Sequence, residues 1–489
     1  MACGAFLYLV SSVQSNNSAG THSNVGFGRL WRVVETMHAR PKYKREQQMT
    51  SRHEASIVDA EIDQIDHVLG EEYEHKPVPL SARRSMFSVT LVWIGFPMII
   101  TGAMTGSLLV SGMGFKDALI AMIIGNLIMF AYVGALGLLG TSRGVNFALL
   151  ASVVFGRKGY VFSSGLLSTL LLGWYAVQTG ITGNLISSTY GLNYVLMTIV
   201  AGVLYIAITF VGVKGLHYIG LVSVPLFVIL GIWVAADAAS TTSWSAIYAY
   251  AGNKGIATMS MGVGLTVVIT LFIDAGTVTA DFNRWAKDTP SSLISTFSAF
   301  PFANLVAMLV GGVMTAALAK TDANPFGVDN MFGYLNGKQT LWISMLAFIF
   351  LYCNLGSVCS HCLYNSATGW SRILGSHMRL LAIVLGVIGI IVAAGNVWAF
   401  FIQWLSLLGI LVPPIGAIIL VDQYVLRPNA EIDTDWRPAA FAAWASGSVV
   451  AFIVEKTAPQ WSTAISAAIV AAVVYWGLST FGRTKTEYA

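Results

Sequence analysis

An acid in the middle of an apolar run is the feature of this sequence that most needs a chemical explanation. Asp274 stands in Leu271-Phe272-Ile273-Asp274-Ala275-Gly276-Thr277, where a lipid surrounding would make a carboxylate costly. No Lys or Arg lies inside the apolar stretches to pair with it. Asp274 is therefore expected to face a cavity or a ligand. There it would accept hydrogen bonds from a ligand amine, neutralise a coupling cation, or carry a proton. Trp174 and Gln178 lie four residues apart, on one face of a helix. An indole for stacking and an amide with one donor and one acceptor end suit a flat heteroaromatic ligand. Taken alone, a packing Trp with a Gln bonded to a neighbouring helix is the commoner arrangement. Phe272 offers a second ring for a sandwich, although a lone Phe in such a stretch usually only packs.

A second polar set, Asn354, Ser357, Ser360 and His361, interrupts another apolar run. Ser357 has a hydroxyl that a sodium ion could use, and His361 is of a type that titrates near neutral pH. Cys359-x-x-Cys362 beside it has the spacing of a metal patch, but small thiols packed between helices are the simpler reading. Asn126 and Asn146 are expected to be structural. There is no G-x-S-x-G, H-E-x-x-H or P-loop motif. Neither an enzyme nor an ATP-driven pump is expected, and a resident cofactor is not implied.

The elements that carry these residues follow from composition. Of 489 residues, 56% are hydrophobic and only 10% charged, far below the charge of a soluble domain. Apolar stretches of the roughly 20 residues needed to cross a bilayer recur about twelve times from Met86 onward. They fall at 86–110, 117–139, 162–188, 193–213, 217–237, 258–281, 297–318, 340–368, 380–396, 397–421, 438–455 and 462–482, with Gly395 and Asn396 as the turn that divides one long run. The expected class is an all-α polytopic membrane protein. The net charge of +4 gives no reason to expect a nucleic-acid partner. The four cysteines do not form a secreted disulfide framework.

With the N-terminus inside, nearly all loop Arg and Lys fall on one side, from Arg83 and Arg84 to Arg437 and Arg483. The other side receives only Lys116, Lys254, Lys320, Lys338 and Lys456. This bias puts both termini in the cytoplasm with an even number of spans between them, and the plasma (cell inner) membrane is the expected location. Residues 1–80 read as a largely disordered cytoplasmic tail, basic and then acidic, with Met49 as an alternative start. Residues 81–484 form the transporter domain, and 485–489 a short cytoplasmic tail.

Two spans are interrupted. The first contains Gly95-Phe96-Pro97-Met98, where Pro97 removes a backbone donor and Gly95 tolerates unusual dihedrals. The sixth contains Asp274 and Gly276. These are matching positions if the first ten spans are two inverted repeats of five, and such paired breaks point to a solute site at the midplane. A proline kink and a packing glycine are the simpler alternative.

Several segments resemble the nucleobase–cation symporter family. They are Val78-Pro79-Leu80-Ser81-Ala82-Arg83, Gly125-Asn126-Leu127, Gly173-Trp174-Tyr175, Leu363-Tyr364 and Val412-Pro413-Pro414-Ile415-Gly416. The most specific is Ala275-Gly276-Thr277-Val278-Thr279-Ala280-Asp281-Phe282. The resemblance implies twelve helices, a five-plus-five inverted repeat with two helices added. It implies a base held between Trp174 and Phe272, with Asn354 and the main chain around Leu271 and Ala275 bonding its edge. It further implies sodium between the first and eighth helices, at carbonyls near Gly95 and Met98 and at the Ser357 hydroxyl.

Three departures bear on these expectations. Leu171 stands where some members carry a Gln one turn before the Trp, and Gln178 resembles instead the family's hydantoin transporters. Val358 stands where a second hydroxyl ligand for sodium is usual. Asp274 replaces a small hydroxyl residue. The last two favour proton coupling, although Asp274 could equally supply the missing sodium ligand. The expected activity is cation-coupled import of a nucleobase, cytosine or a purine, by a monomer whose partners are its small-molecule substrate and the lipid bilayer. A hydantoin or allantoin carrier is the alternative, and a transporter-like sensor signalling through the tail is a reading of another class.

Overall fold

Inside a bilayer a backbone amide finds no water, so an apolar stretch must satisfy itself as helix or be buried in protein where it does not. The computed structural model describes residues 65–66, 68–253, 259–319 and 329–487. Among these, eight helices are long and apolar enough to cross a membrane, and four shorter apolar helices accompany them. Two of the short ones, Ile100–Met113 and Met261–Thr270, are halves of the interrupted first and sixth spans. The other two, Tyr194–Phe210 and Met378–Ala394, are the fourth and ninth spans. Taken together, the described residues form a multi-pass, all-helical membrane protein of twelve spans.

The spans sort into two packed groups. The first, second, sixth and seventh lie against one another, and so do the third (Tyr160–Tyr190), fourth, eighth (Leu341–Leu374) and ninth. The eleventh and twelfth pair with each other and lean on the tenth. Both interrupted spans thus face the boundary between the two groups.

Local chemistry moves several boundaries from their expected places. The seventh span starts at Thr289, not 297. Asp288 caps it by accepting from the Ser291 amide at 2.9 Å, and Pro290 occupies its first turn. Its opening turns are rich in Ser and Thr, which hides them from an apolar count. A wider turn at Ser298–Asn304 accommodates Pro301. A helix at Phe147–Phe155, between the second and third spans, is capped by Asn146, which accepts from the Leu149 amide at 2.9 Å. Asn126 accepts from Asn304 at 2.9 Å and ties the second span to the seventh. The turn expected at Gly395 and Asn396 is present, with Asn396 in the left-handed conformation.

The expected tail ended at residue 80, and its first 64 residues, Met49 included, lie outside the described residues. From Glu71 onward, however, the chain belongs with the helices rather than with the preceding segment. Glu72 is 3% exposed and Glu74 6%. The Glu72 carboxylate accepts from the Val213 amide at 3.1 Å and from the Tyr364 hydroxyl at 2.9 Å, and Arg379 lies 3.6 Å away. Arg284 donates to the Glu72 and Tyr73 carbonyls at 2.9 and 2.7 Å. Glu74 accepts from the Met378 amide at 3.0 Å. One short strap therefore ties together the ends of the fifth, sixth, eighth and ninth spans. Only glycine fits at 212: its φ is +79°, and a Cβ would lie 1.9 Å from the Glu72 carboxylate. An acidic run reads as solvated in a sequence. These acids are buried because helix amides and arginines from distant parts of the chain meet them.

Burial pushes the Glu72 carboxyl up from 4.5 to about 7, although the Tyr364 hydroxyl, Arg284 and the Val213 amide oppose the shift. A raised carboxyl holds its proton more tightly in the folded protein. Its contribution to stability is complete below about 4.5 and is lost as pH rises through about 7. The purified protein is expected to lose thermal stability between pH 5 and 8, and Glu72→Gln to flatten that slope, as differential scanning fluorimetry would read.

Candidate functional site

Pro97 has no amide to continue the first span, and the helix stops at Ile94 and resumes at Ile100. Ile99 is extended between them, at φ −134° and ψ 160°. The break diverts backbone bonds. The Phe96 amide, which in a continuous helix would reach Val92, donates instead to Trp93 O at 3.2 Å. The eighth span answers with residues 354, 357 and 361, spaced so that they share one face. Asn354 accepts from the Ile100 amide at 2.7 Å and donates to the Met98 carbonyl at 2.9 Å and to Ser223 at 3.1 Å. Ser357 donates its hydroxyl to the Gly95 carbonyl at 2.7 Å. His361 brings Nε2 to 2.9 Å from the Val92 carbonyl and Nδ1 to 2.6 Å from the Ser357 carbonyl.

The sixth span breaks at Leu271–Phe272, where Phe272 takes φ −139° and ψ 16°. The chain then runs as two short turns, Ile273–Thr277 and Ala280–Asn283. Asp274 is 1% exposed. Its Oδ1 accepts from the Ala275 amide at 2.8 Å, while Oδ2 has no protein partner. Beyond it, Thr277 meets the Tyr132 hydroxyl at 2.8 Å, and Asp281 accepts from the Phe147 amide at 2.8 Å.

Trp174 of the third span is 3% exposed, and its indole lies beside the Asp274 carboxyl. The indole N–H approaches that carboxyl without closing a hydrogen bond of good geometry. Gln178 donates to the Thr101 hydroxyl at 3.0 Å, which leaves its Oε1 without a partner. One buried donor and two buried acceptors are thus left over on facing spans. A buried polar atom without a partner costs about 1–3 kcal/mol, so such a set calls for a ligand or a structural reason.

The structure sorts the expected site residues into two groups. Gly95, Met98, Ser357 and Asn354 come together, but as a clasp between the first and eighth spans in which the Asn354 amide is fully engaged. Trp174 and Asp274 come together on the other side of the sixth-span break, with Gln178 one turn along from Trp174. Phe272 makes its ring contacts with Phe96 at 5.1 Å and Phe300 at 6.4 Å, whereas Trp174 makes its own with Phe401 at 5.6 Å. Leu271 donates its amide back to Val267 at 3.2 Å, and the Ala275 amide is held by Asp274. Sequence reasoning missed Thr101, which orients Gln178, and Ser223 and Phe96. A lone Thr, Ser or Phe in an apolar run carries no signal that would have found them.

Residues 77–478 match the family described as permease for cytosine/purines, uracil, thiamine and allantoin. Cytosine permease of Escherichia coli strain K12 is 28% identical over 364 residues, covering 73% of this chain and 82% of the relative. Purine-uracil permease NCS1 of Arabidopsis thaliana is 23% identical over 396 residues, covering 72% of this chain and 63% of the relative. Among solved structures, the nucleobase-cation-symport-1 family transporter Mhp1, closed with bromovinylhydantoin bound, superposes with a TM-score of 0.71. It is 16% identical, with 84% of this chain and 96% of that one covered. That likeness gives the fold: an inverted-repeat transporter core.

The clasp can be tested through one side chain. Asn354→Leu leaves the Ile100 amide, the Met98 carbonyl and Ser223 short of partners in a dry interior, at about 1–3 kcal/mol each. The near-isosteric Asn354→Asp keeps the acceptor but turns an oxygen toward Met98 O. Both variants are expected to unfold at clearly lower temperature than wild type, as read by scanning fluorimetry in detergent. An unchanged midpoint for Asn354→Asp would mean that the amide is not held as described.

Proposed function

The chain belongs to the family of permeases for cytosine/purines, uracil, thiamine and allantoin, and on that premise we propose that it imports a nucleobase, cytosine first and purines next. Import is by alternating access in the plasma membrane, with both termini cytoplasmic, as the positive-inside bias favours. Uphill movement is coupled to a cation gradient.

The observation that carries the choice of substrate is Asp274 Oδ2, a buried carboxylate oxygen that the indole N–H of Trp174 approaches without closing a hydrogen bond of good geometry. An acceptor there suits a ligand that presents N–H groups. Gln178 Oε1 is a second acceptor one turn along the third span, and Trp174 supplies a donor for a ring carbonyl or ring nitrogen. Cytosine and adenine carry an exocyclic amine, and uracil does not. The Trp174 face, the Phe272 face or both would cover the flat ring. Hydantoin or allantoin is the second reading, favoured by the placement of Gln178 four residues after Trp174 and by the N–H groups those rings also present.

The test is uptake of labelled cytosine into cells that lack their own nucleobase carriers. Wild type is expected to give saturable uptake. Asp274→Asn is expected to lose it by roughly tenfold or more, since a hydrogen bond to a charged group contributes about 1.5–3 kcal/mol. Competition by unlabelled allantoin or hydantoin, with none by cytosine, would move the assignment to the second reading. Background uptake of all of these, with the protein present in the membrane, would overturn the proposal.

A further inference from the structure

The family resemblance implies a sodium ion between the first and eighth spans, at Gly95 O, Met98 O and Ser357 Oγ. The residues present do not fit one. A sodium ion needs oxygen lone pairs turned toward it. Here two carbonyls of the break are met by donors instead, Gly95 O by the Ser357 hydroxyl and Met98 O by the Asn354 amide, and Val92 O lies against the nitrogen-only ring of His361 at Nε2. The three carbonyls lie three residues apart along the first span, and the three side chains that meet them lie along one face of the eighth.

Asn354 and His361 cannot turn an oxygen lone pair toward an ion in exchange. Asn354 Oδ1 accepts from the Ile100 amide at 2.7 Å, so rotating the side-chain amide would set NH₂ against N–H. The His361 ring has no oxygen to offer in any tautomer, and carbonyls, which only accept, face both of its nitrogens. Phe96 and Phe282 pack on that ring with centroids at 5.2 and 5.4 Å. Val358, 1% exposed, presents methyl groups next to Ser357. Space is short as well. A Cβ on Gly95 would lie 3.1 Å from Gly220 Cα and 3.2 Å from Ser357 Oγ.

We propose that the donor face formed by Asn354, Ser357 and His361 takes the place of an ion at this junction, so that it binds no sodium and transport does not draw on a sodium gradient. The proposal rests on reading the chain as a cation-coupled carrier, and it narrows that reading. The face does the mechanical work an ion would do: it holds the freed carbonyls of the first span against the eighth. It does so with groups built into the helix, which remain whether or not sodium is present.

The test needs no substrate, so it stands apart from the identity of the transported base. Purified wild-type protein is unfolded thermally in sodium chloride and in equimolar choline chloride, and binding of radiolabelled sodium is measured on the same preparation. The expected result is one midpoint in both salts and no saturable sodium binding. Ser357→Ala is expected to lower the midpoint equally in both salts, because it removes a clasp bond and not an ion ligand. Saturable sodium binding, or a sodium-specific rise in the midpoint that Ser357→Ala abolishes, would overturn the proposal and leave the nucleobase reading standing. Failure of nucleobase uptake would leave this measurement intact.

Discussion

A transmembrane helix can be interrupted only if something else satisfies the backbone groups the interruption frees. Everything distinctive about this protein follows from how that is done at Gly95–Ile99. The carbonyls of Val92, Gly95 and Met98 and the amide of Ile100 are met by three side chains on one face of the eighth span. Without that face the first span would have to kink, flood or refold. With it, the break is a fixed feature around which the sixth span can present Asp274. The two breaks are also joined by rings: Phe96 of the first touches Phe272 of the sixth, and Phe96 and Phe282 both touch His361.

The second constraint is charge in a dry interior. The chain treats its buried acids in two ways. Glu72 receives a helix amide, a tyrosine hydroxyl and an arginine, and so becomes a knot that holds three spans together at one end of the bundle. Asp274 receives one neighbouring amide, and its other oxygen has only the loosely placed Trp174 indole beside it. A fully met carboxylate is structural, and one left half-met is available to a ligand. That contrast, more than the mere presence of an acid in a membrane span, makes Asp274 the centre of the candidate site.

Much of this was legible in the sequence because the bilayer writes in a simple code. Length and apolarity located the spans, Pro97 with Gly95 located one break, and an acid beside Gly276 located the other. Asn396 marked the turn between the ninth and tenth spans. The rest depends on partners far apart in the chain. Asn354 reads equally well as a ligand group or a clasp, and only the proximity of Ile100 and Met98 decides that its amide is engaged. The acidic strap at 71–78 looks solvated until Arg284, Tyr364 and the Val213 amide are placed around it. The seventh span hides its opening turns behind serines whose hydroxyls bond back to their own helix, as Ser295 does to Ser292 O.

The proposed substrate choice turns on the Asp274 oxygen held out to an exocyclic amine. Equilibrium binding of cytosine and of uracil to the purified protein tests it most directly, since the two rings differ at the group in question. Cytosine is expected to bind tighter by roughly tenfold or more, the value of one hydrogen bond to a charged group. Equal affinity, or a preference for uracil, would contradict it.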